Sequence, residues 1–172
     1  MSADESPLVA SPSQTVGPFF RVGPGKTNRL GRMVEADAPG EHISLRVRVV
    51  DGHGQPVDDS LVELWQRDVG FGRLGTEADG SCVFDTVRPG SAGATEREGA
   101  AHIDLCVFAR GLLRHLYTRV YFGGDPALQR DPILALVPAD RRGTLLAQRT
   151  DGGTWEFVIR LQGDRETVFF DL

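Results

Sequence analysis

The chain has 172 residues, 40% of them hydrophobic and 25% charged, with a formal net charge of -5. That length suits one globular unit that buries its own core without staples. The acidic balance, with no arginine-rich block, excludes the basic field that phosphate backbones require, so nucleic acid is not an expected partner.

Met1 to Ala10 contains no basic segment followed by an apolar run, and no stretch of about 18 apolar residues occurs anywhere, so the expectation is a cytoplasmic chain with no membrane partner. The next ten residues, SPSQTVGPFF, break regular structure through Pro12, Gly17 and Pro18. Phe19 and Phe20 have no physical use in a solvated tail, so this arm packs either on its own domain or on another chain. Residues 21 to 42 are Gly-rich and irregular.

From Ile43 onward the apolar period is two. In ISLRVRVVD, Ile43, Leu45, Val47 and Val49 face one way while Ser44, Arg46 and Arg48 face the other, as in a half-buried strand. A turn cluster, DGHGQPVDD, follows, and then LVELWQ, CVFDTV, AHIDLCVFA, RHLYTRVYF, TLLAQR, WEFVIRLQ and TVFFDL. Strand candidates of this kind, separated by turn chemistry, predict an all-β fold, a two-sheet antiparallel β-sandwich with an irregular N-terminal arm. The boundaries are a single domain over 1–172, with arm and irregular segment at 1–42 and the sandwich core at 43–172. DPILALVPADRR is the one place that suits a helical turn. Cys82 and Cys106 each sit in an apolar stretch and not in a CxxC, so both are expected as buried reduced thiols, with neither a disulfide nor a zinc site.

No GxxxxGK loop and no GxSxG elbow is present, which leaves phosphoryl transfer and that kind of esterase without support. The chemical interest lies in AHIDLCVFAR. If this is one regular strand, His102, Asp104, Cys106, Phe108 and Arg110 share a face, with neighbouring pairs roughly 7 Å apart. His102 and Asp104 then either grip one metal ion or form a polar pair at a sheet or interface. A third ligand from His42, His53, His115, Tyr117 or Tyr121 is not placed by spacing. Tyr117 and Tyr121 are poor joint ligands, since four strand residues separate them by roughly 13 Å.

SPSQTVGPFF, DAPGEHISLRVRVVDGHGQPVDDSLVELWQ, TEADGSCVFDTVRPG, AHIDLCVFARGLLRHLYTRVYF, DPILALV, RRGTLLAQR and RLQGDRETVFFDL run in an order that covers nearly the whole chain. In these motifs the chain resembles the intradiol ring-cleaving dioxygenases, and within that family the alpha-type chain of its two-chain members. The resemblance implies a catalytic beta-type partner that binds non-haem Fe(III) through two tyrosines and a His-x-His pair. Residue by residue, His102 matches the first histidine of that pair and Asp104 stands at the second. RDVGFGRLG holds no tyrosine, and Ser91 follows RPG where the other tyrosine is expected. Tyrosinate oxygens hold ferric iron in a way that serine or a lone histidine does not, so this chain is expected to bind no metal and to hold no catalytic residue of its own.

The resemblance also implies that the active-site pocket lies between the two chains. Thr15, Gly17 and Pro18 of the arm and Arg110 of the FAR motif are the expected substrate-binding residues, with Phe19 and Phe20 anchoring the arm. Arg110 offsets the charge of an anionic aromatic acid, or else forms a structural ion pair. The implied reaction of the αβ complex is cleavage of 3,4-dihydroxybenzoate by O2 to 3-carboxy-cis,cis-muconate, with the Fe(III) on the partner. Two other classes stay open at this point: a self-sufficient metalloenzyme built on His102, Asp104 and His115, and a purely structural or binding sandwich.

Overall fold

Alternation in the sequence becomes strand in the computed structural model, which describes residues 10–17, 19, 20, 23, 30–90 and 99–171. Among these residues the strands are β1 (His42–Val50), β2 (Leu61–Gln66), β3 (Gly70–Gly75), β4 (Ser81–Val87), β5 (His102–Phe108), β6 (Leu116–Phe122), β7 (Leu146–Arg149) and β8 (Trp155–Arg160). The spatial order is β3-β2-β5-β6-β7-β8-β1-β4. Two four-stranded halves, β3-β2-β5-β6 and β7-β8-β1-β4, join through a two-residue parallel pairing of Tyr121 with Leu146 and Phe122 with Ala147. Their inner faces meet in one core: Leu45, Val47 and Val49 from β1, Val62 and Leu64 from β2, Ile103, Leu105 and Val107 from β5, and Phe157 and Ile159 from β8. The all-β sandwich reading therefore holds. The pairing is mostly antiparallel, but β1 and β8 also run parallel, Leu45 opposite Trp155 through Val50 opposite Arg160. Alternation of apolar residues reports which face is buried and carries no information about strand direction.

Two of the expected elements differ. β3 was not expected because Gly70, Gly72 and Gly75 make the segment read as a turn. Gly72 has a packing reason, since a Cβ there would sit 2.9 Å from the Met33 sulfur and 3.0 Å from the Leu30 carbonyl oxygen. TVFFDL is not a strand. Its described part meets the sheet through backbone bonds, Phe170 N–H to the Tyr117 carbonyl and Thr167 N–H to the Arg160 carbonyl, and through hydroxyls: Thr118 donates to the Val168 carbonyl, Val168 N–H donates to Thr144, and Arg160 N–H donates to Thr167.

Residues 126–145 form a cover over the outer side of β6: a 3₁₀ turn at Pro126–Arg130, helix α1 (Pro132–Leu136), as DPILALV suggests, and a second 3₁₀ turn at Arg142–Leu145. The tie is Asp131, a buried carboxylate. Its Oδ1 accepts from the N–H groups of Ile133 and Leu134 and from the Tyr121 hydroxyl, and its Oδ2 accepts from Ala100 N–H at 2.8 Å. One side chain thus caps α1 and fixes the chain just before β5. Asp131→Ala leaves those donors unsatisfied in the interior and is expected to cost about 3 kcal/mol, read as a shift in the urea midpoint at unchanged slope.

Cys82 and Cys106 are free and buried. Burial pushes both thiols up from 9.0 to about 12. At pH 8 the folded chain then carries roughly a thousandfold less thiolate than the unfolded one. Iodoacetamide is expected to label neither cysteine in the native chain and both after denaturation. The neutral thiols favour the folded state fully below about pH 9 and lose that contribution as pH rises toward 12.

Candidate functional site

β5 lies between β2 and β6, antiparallel to both. With Ile103, Leu105 and Val107 in the core, the pleat turns His102, Asp104, Cys106 and Phe108 to the opposite face, as the sequence spacing requires. β6 sets Tyr121 opposite His102, Arg119 opposite Asp104 and Tyr117 opposite Cys106. Above them, Trp65, Asp104, Cys106, Tyr117, Arg119 and Phe170 contribute to the lining of a cavity of about 360 Å³.

Arg119 decides what His102 and Asp104 can do. Its Nε donates to Asp104 Oδ1 at 3.0 Å, so the carboxylate oxygen nearest His102 is already held by a cation. His102 Nδ1 lies 2.9 Å from the Ala100 carbonyl, which only accepts, so the proton resides on Nδ1. Its Nε2 stands 3.9 Å from Asp104 Oδ1. Tyr121, beside His102 at a ring-centroid distance of 5.5 Å, is fully buried, and burial pushes its phenol up to about 12. At neutral pH it is a phenol donating to Asp131, not a tyrosinate.

The other candidate ligands lie elsewhere. His42 Nε2 is 2.8 Å from the Ala38 carbonyl, and His115 Nε2 is 2.9 Å from the Tyr117 hydroxyl. Among the described residues no group of three or more His, Cys, Asp or Glu side chains is placed to hold a metal ion. One imidazole and one carboxylate already paired with a guanidinium do not fit Fe(III). Ser91 lies outside the described residues.

The second constellation joins segments far apart in sequence. Gly111 N–H donates to Thr15 Oγ1 at 2.7 Å, which ties the arm to the β5–β6 turn. Gly111 has φ +92°, a conformation that glycine adopts without the penalty a Cβ brings. Phe20 packs on Phe108 with centroids 5.6 Å apart, and Phe108 packs on His115 at 5.3 Å. The arm therefore docks on its own domain, while Phe19 remains 80% exposed. A Cβ on Gly17 would meet nothing within 4 Å, so no contact in this chain demands glycine there. Pro18 lies outside the described residues.

Arg110 is not on strand β5, which ends at Phe108; it occupies the following turn. There it is the immediate neighbour of Gly111, so Thr15 and Arg110 come together although 95 positions separate them in the chain. Arg110 Nε lies 3.0 Å from Asp59 Oδ2. Sequence reasoning identified Thr15 and Arg110 but missed Asp59 and Arg119. A signal for Arg119 existed, because LYTRVYF places it on one face with Tyr117 and Tyr121, where a cation opposite Asp104 is favourable.

No protein-family model matches the chain. The protocatechuate 3,4-dioxygenase alpha chain of Pseudomonas putida is 40% identical over 195 aligned positions, covering 95% of this chain and 97% of that one. The protocatechuate 3,4-dioxygenase beta chain of Burkholderia cepacia is 32% identical over 154 positions, covering 72% of this chain and 66% of that one. Among solved structures, hydroxyquinol 1,2-dioxygenase from Pseudomonas putida DLL-E4 superposes with a TM-score of 0.58 over 91% of this chain and 67% of that one; at 19% identity it speaks to the fold alone. With 40% identity over nearly the full length of both chains, and a fold shared with the 1,2-dioxygenases, this chain belongs to the protocatechuate 3,4-dioxygenase alpha-chain family of intradiol dioxygenases.

Proposed function

We propose that this chain is the non-iron alpha subunit of a two-chain intradiol dioxygenase, and that it forms part of the substrate pocket at the interface with an Fe(III)-bearing beta-type chain. The complex cleaves 3,4-dihydroxybenzoate between its two hydroxyl-bearing carbons, adding both atoms of O2 to give 3-carboxy-cis,cis-muconate. The chain acts as a single domain over 1–172 whose arm and β5–β6 turn reach the partner's site.

The observation that carries this reading is the junction at Gly111, where the Thr15 arm is fastened next to Arg110. A guanidinium held at the mouth of a pocket suits a planar aromatic carboxylate, because its paired N–H donors match the two carboxylate oxygens. Thr15 supports the pocket wall by fixing the arm, and Gly17 extends that wall. Phe19 on the arm and Leu113 in the β5–β6 turn are 80% and 60% exposed, and large apolar side chains left in water suit burial against a partner. Iron belongs to the beta-type chain in this reading, since Arg119 already neutralises Asp104 here.

Two measurements check it. The chain purified alone is expected to retain no stoichiometric iron and no ring-cleaving activity, and both are expected in the complex co-purified with the beta-type partner. Iron and turnover in the isolated chain would sink the proposal. In the complex, Arg110→Ala is expected to weaken use of the aromatic acid by about 1 to 3 kcal/mol in kcat/KM; a kinetically silent Arg110→Ala would reduce the chain to a structural sandwich.

A further inference from the structure

Asp59 is the nearest charged neighbour of Arg110, and its position follows from the sheet. β2 and β5 pair with Leu61 opposite Phe108. Continued two residues beyond the ladder, that antiparallel register brings Asp59 opposite Arg110. The Asp59 side chain is 19% exposed, against 62% for Arg110, so the carboxylate is the fixed member and the guanidinium the mobile one. The following residue, Ser60, is fully buried, with its N–H donated to Thr76 Oγ1 at 3.1 Å. On the other side of the pair, Gly111 N–H is held by Thr15. The backbone is thus anchored beside both members.

The contact is at Nε, the inner edge of the guanidinium, with 3.0 Å to Asp59 Oδ2. This is the only ion pair of Arg110 among the described residues, so no second carboxylate competes for the guanidinium. An arginine on a turn otherwise spreads over many rotamers. A carboxylate at the inner edge restricts them and points the terminal nitrogens outward. Its negative charge works against binding an anion, but the guanidinium end of the pair is 62% exposed, where that opposition is screened, whereas a paired carboxylate–guanidinium contact depends steeply on geometry.

We infer that Asp59 is a positioning residue for substrate recognition: it holds Arg110 by Nε and aims the terminal nitrogens at the carboxylate of the aromatic acid. The inference rests on the pocket reading above. It makes Arg110 and Asp59 one recognition unit for the acid group, separate from whatever binds the diol.

The experiment uses the assembled complex and compares 3,4-dihydroxybenzoate with catechol, which carries the diol but no carboxylate, as substrate or as competitive inhibitor. Asp59→Ala is expected to raise KM for the acid about tenfold with kcat little changed, and to leave the constant for catechol unaltered. Asp59→Asn, which keeps the shape of the turn should the alanine variant fold poorly, is expected to raise it about threefold. Asp59→Ala added to Arg110→Ala is expected to have no further effect. An unchanged or lowered KM for the acid in both Asp59 variants, or an equal rise for acid and catechol, overturns the positioning role while Arg110→Ala remains selective for the acid. If Arg110→Ala itself spares the acid, the pocket reading fails and the inference falls with it.

Discussion

The outer face of this protein depends on the register of β5 against its two neighbours. β5 is hydrogen-bonded on both sides, and the core needs Ile103, Leu105 and Val107, none more than 1% exposed. A slip of one residue would bury Asp104 and turn three aliphatic side chains to water, so the register is strongly held. From it follow the pairs on the opposite face, His102 with Tyr121 and Asp104 with Arg119, and, past the end of the ladder, Asp59 with Arg110.

The same register explains why Asp104 does not stand beside His102 as a free carboxylate. A carboxylate and an imidazole on one face attract a cation, and β6 supplies one covalently as Arg119. Burial pushes the Tyr121 phenol up to about 12 and its hydroxyl donates to the buried Asp131 carboxylate, which together keep the tyrosine beside His102 from anionic ligation at neutral pH. The face carries an internal ion pair under a mostly apolar cavity. The polar chemistry available to a ligand is displaced to the strand's far end, where the arm and the β5–β6 turn meet.

Most strands were legible because each buries one face, and alternation is the direct trace of that burial in sequence. β3 was hidden because it is glycine-rich, and its Gly72 serves close packing with Leu30 and Met33, a requirement that looks like a turn in one dimension. TVFFDL reads as a strand because its alternating apolar residues do pack on the sheet, but its bonds to strand backbone are scattered, Thr167 to Arg160 and Phe170 to Tyr117, and threonine hydroxyls take both backbone groups of Val168 between them. In the candidate site, His102 and Asp104 were visible as an i, i+2 pair on a strand. The placement of Arg110 just beyond the strand end was not visible, since alternation does not mark where pairing stops.

The sequence by itself determined the all-β class, the buried and exposed faces of β1, β2 and β5, the absence of the expected tyrosines in RDVGFGRLG and after RPG, and the family to which the chain's motifs point. These are properties of local pattern and residue identity. Only the tertiary structure decided that β1 runs parallel to β8, that Arg119 claims Asp104, that the arm folds back so that Thr15 meets Gly111, and that Asp59 holds Arg110. Each of these joins segments many residues apart, and the energy that selects them comes from closing the sheet around one shared core, which no local window of sequence contains.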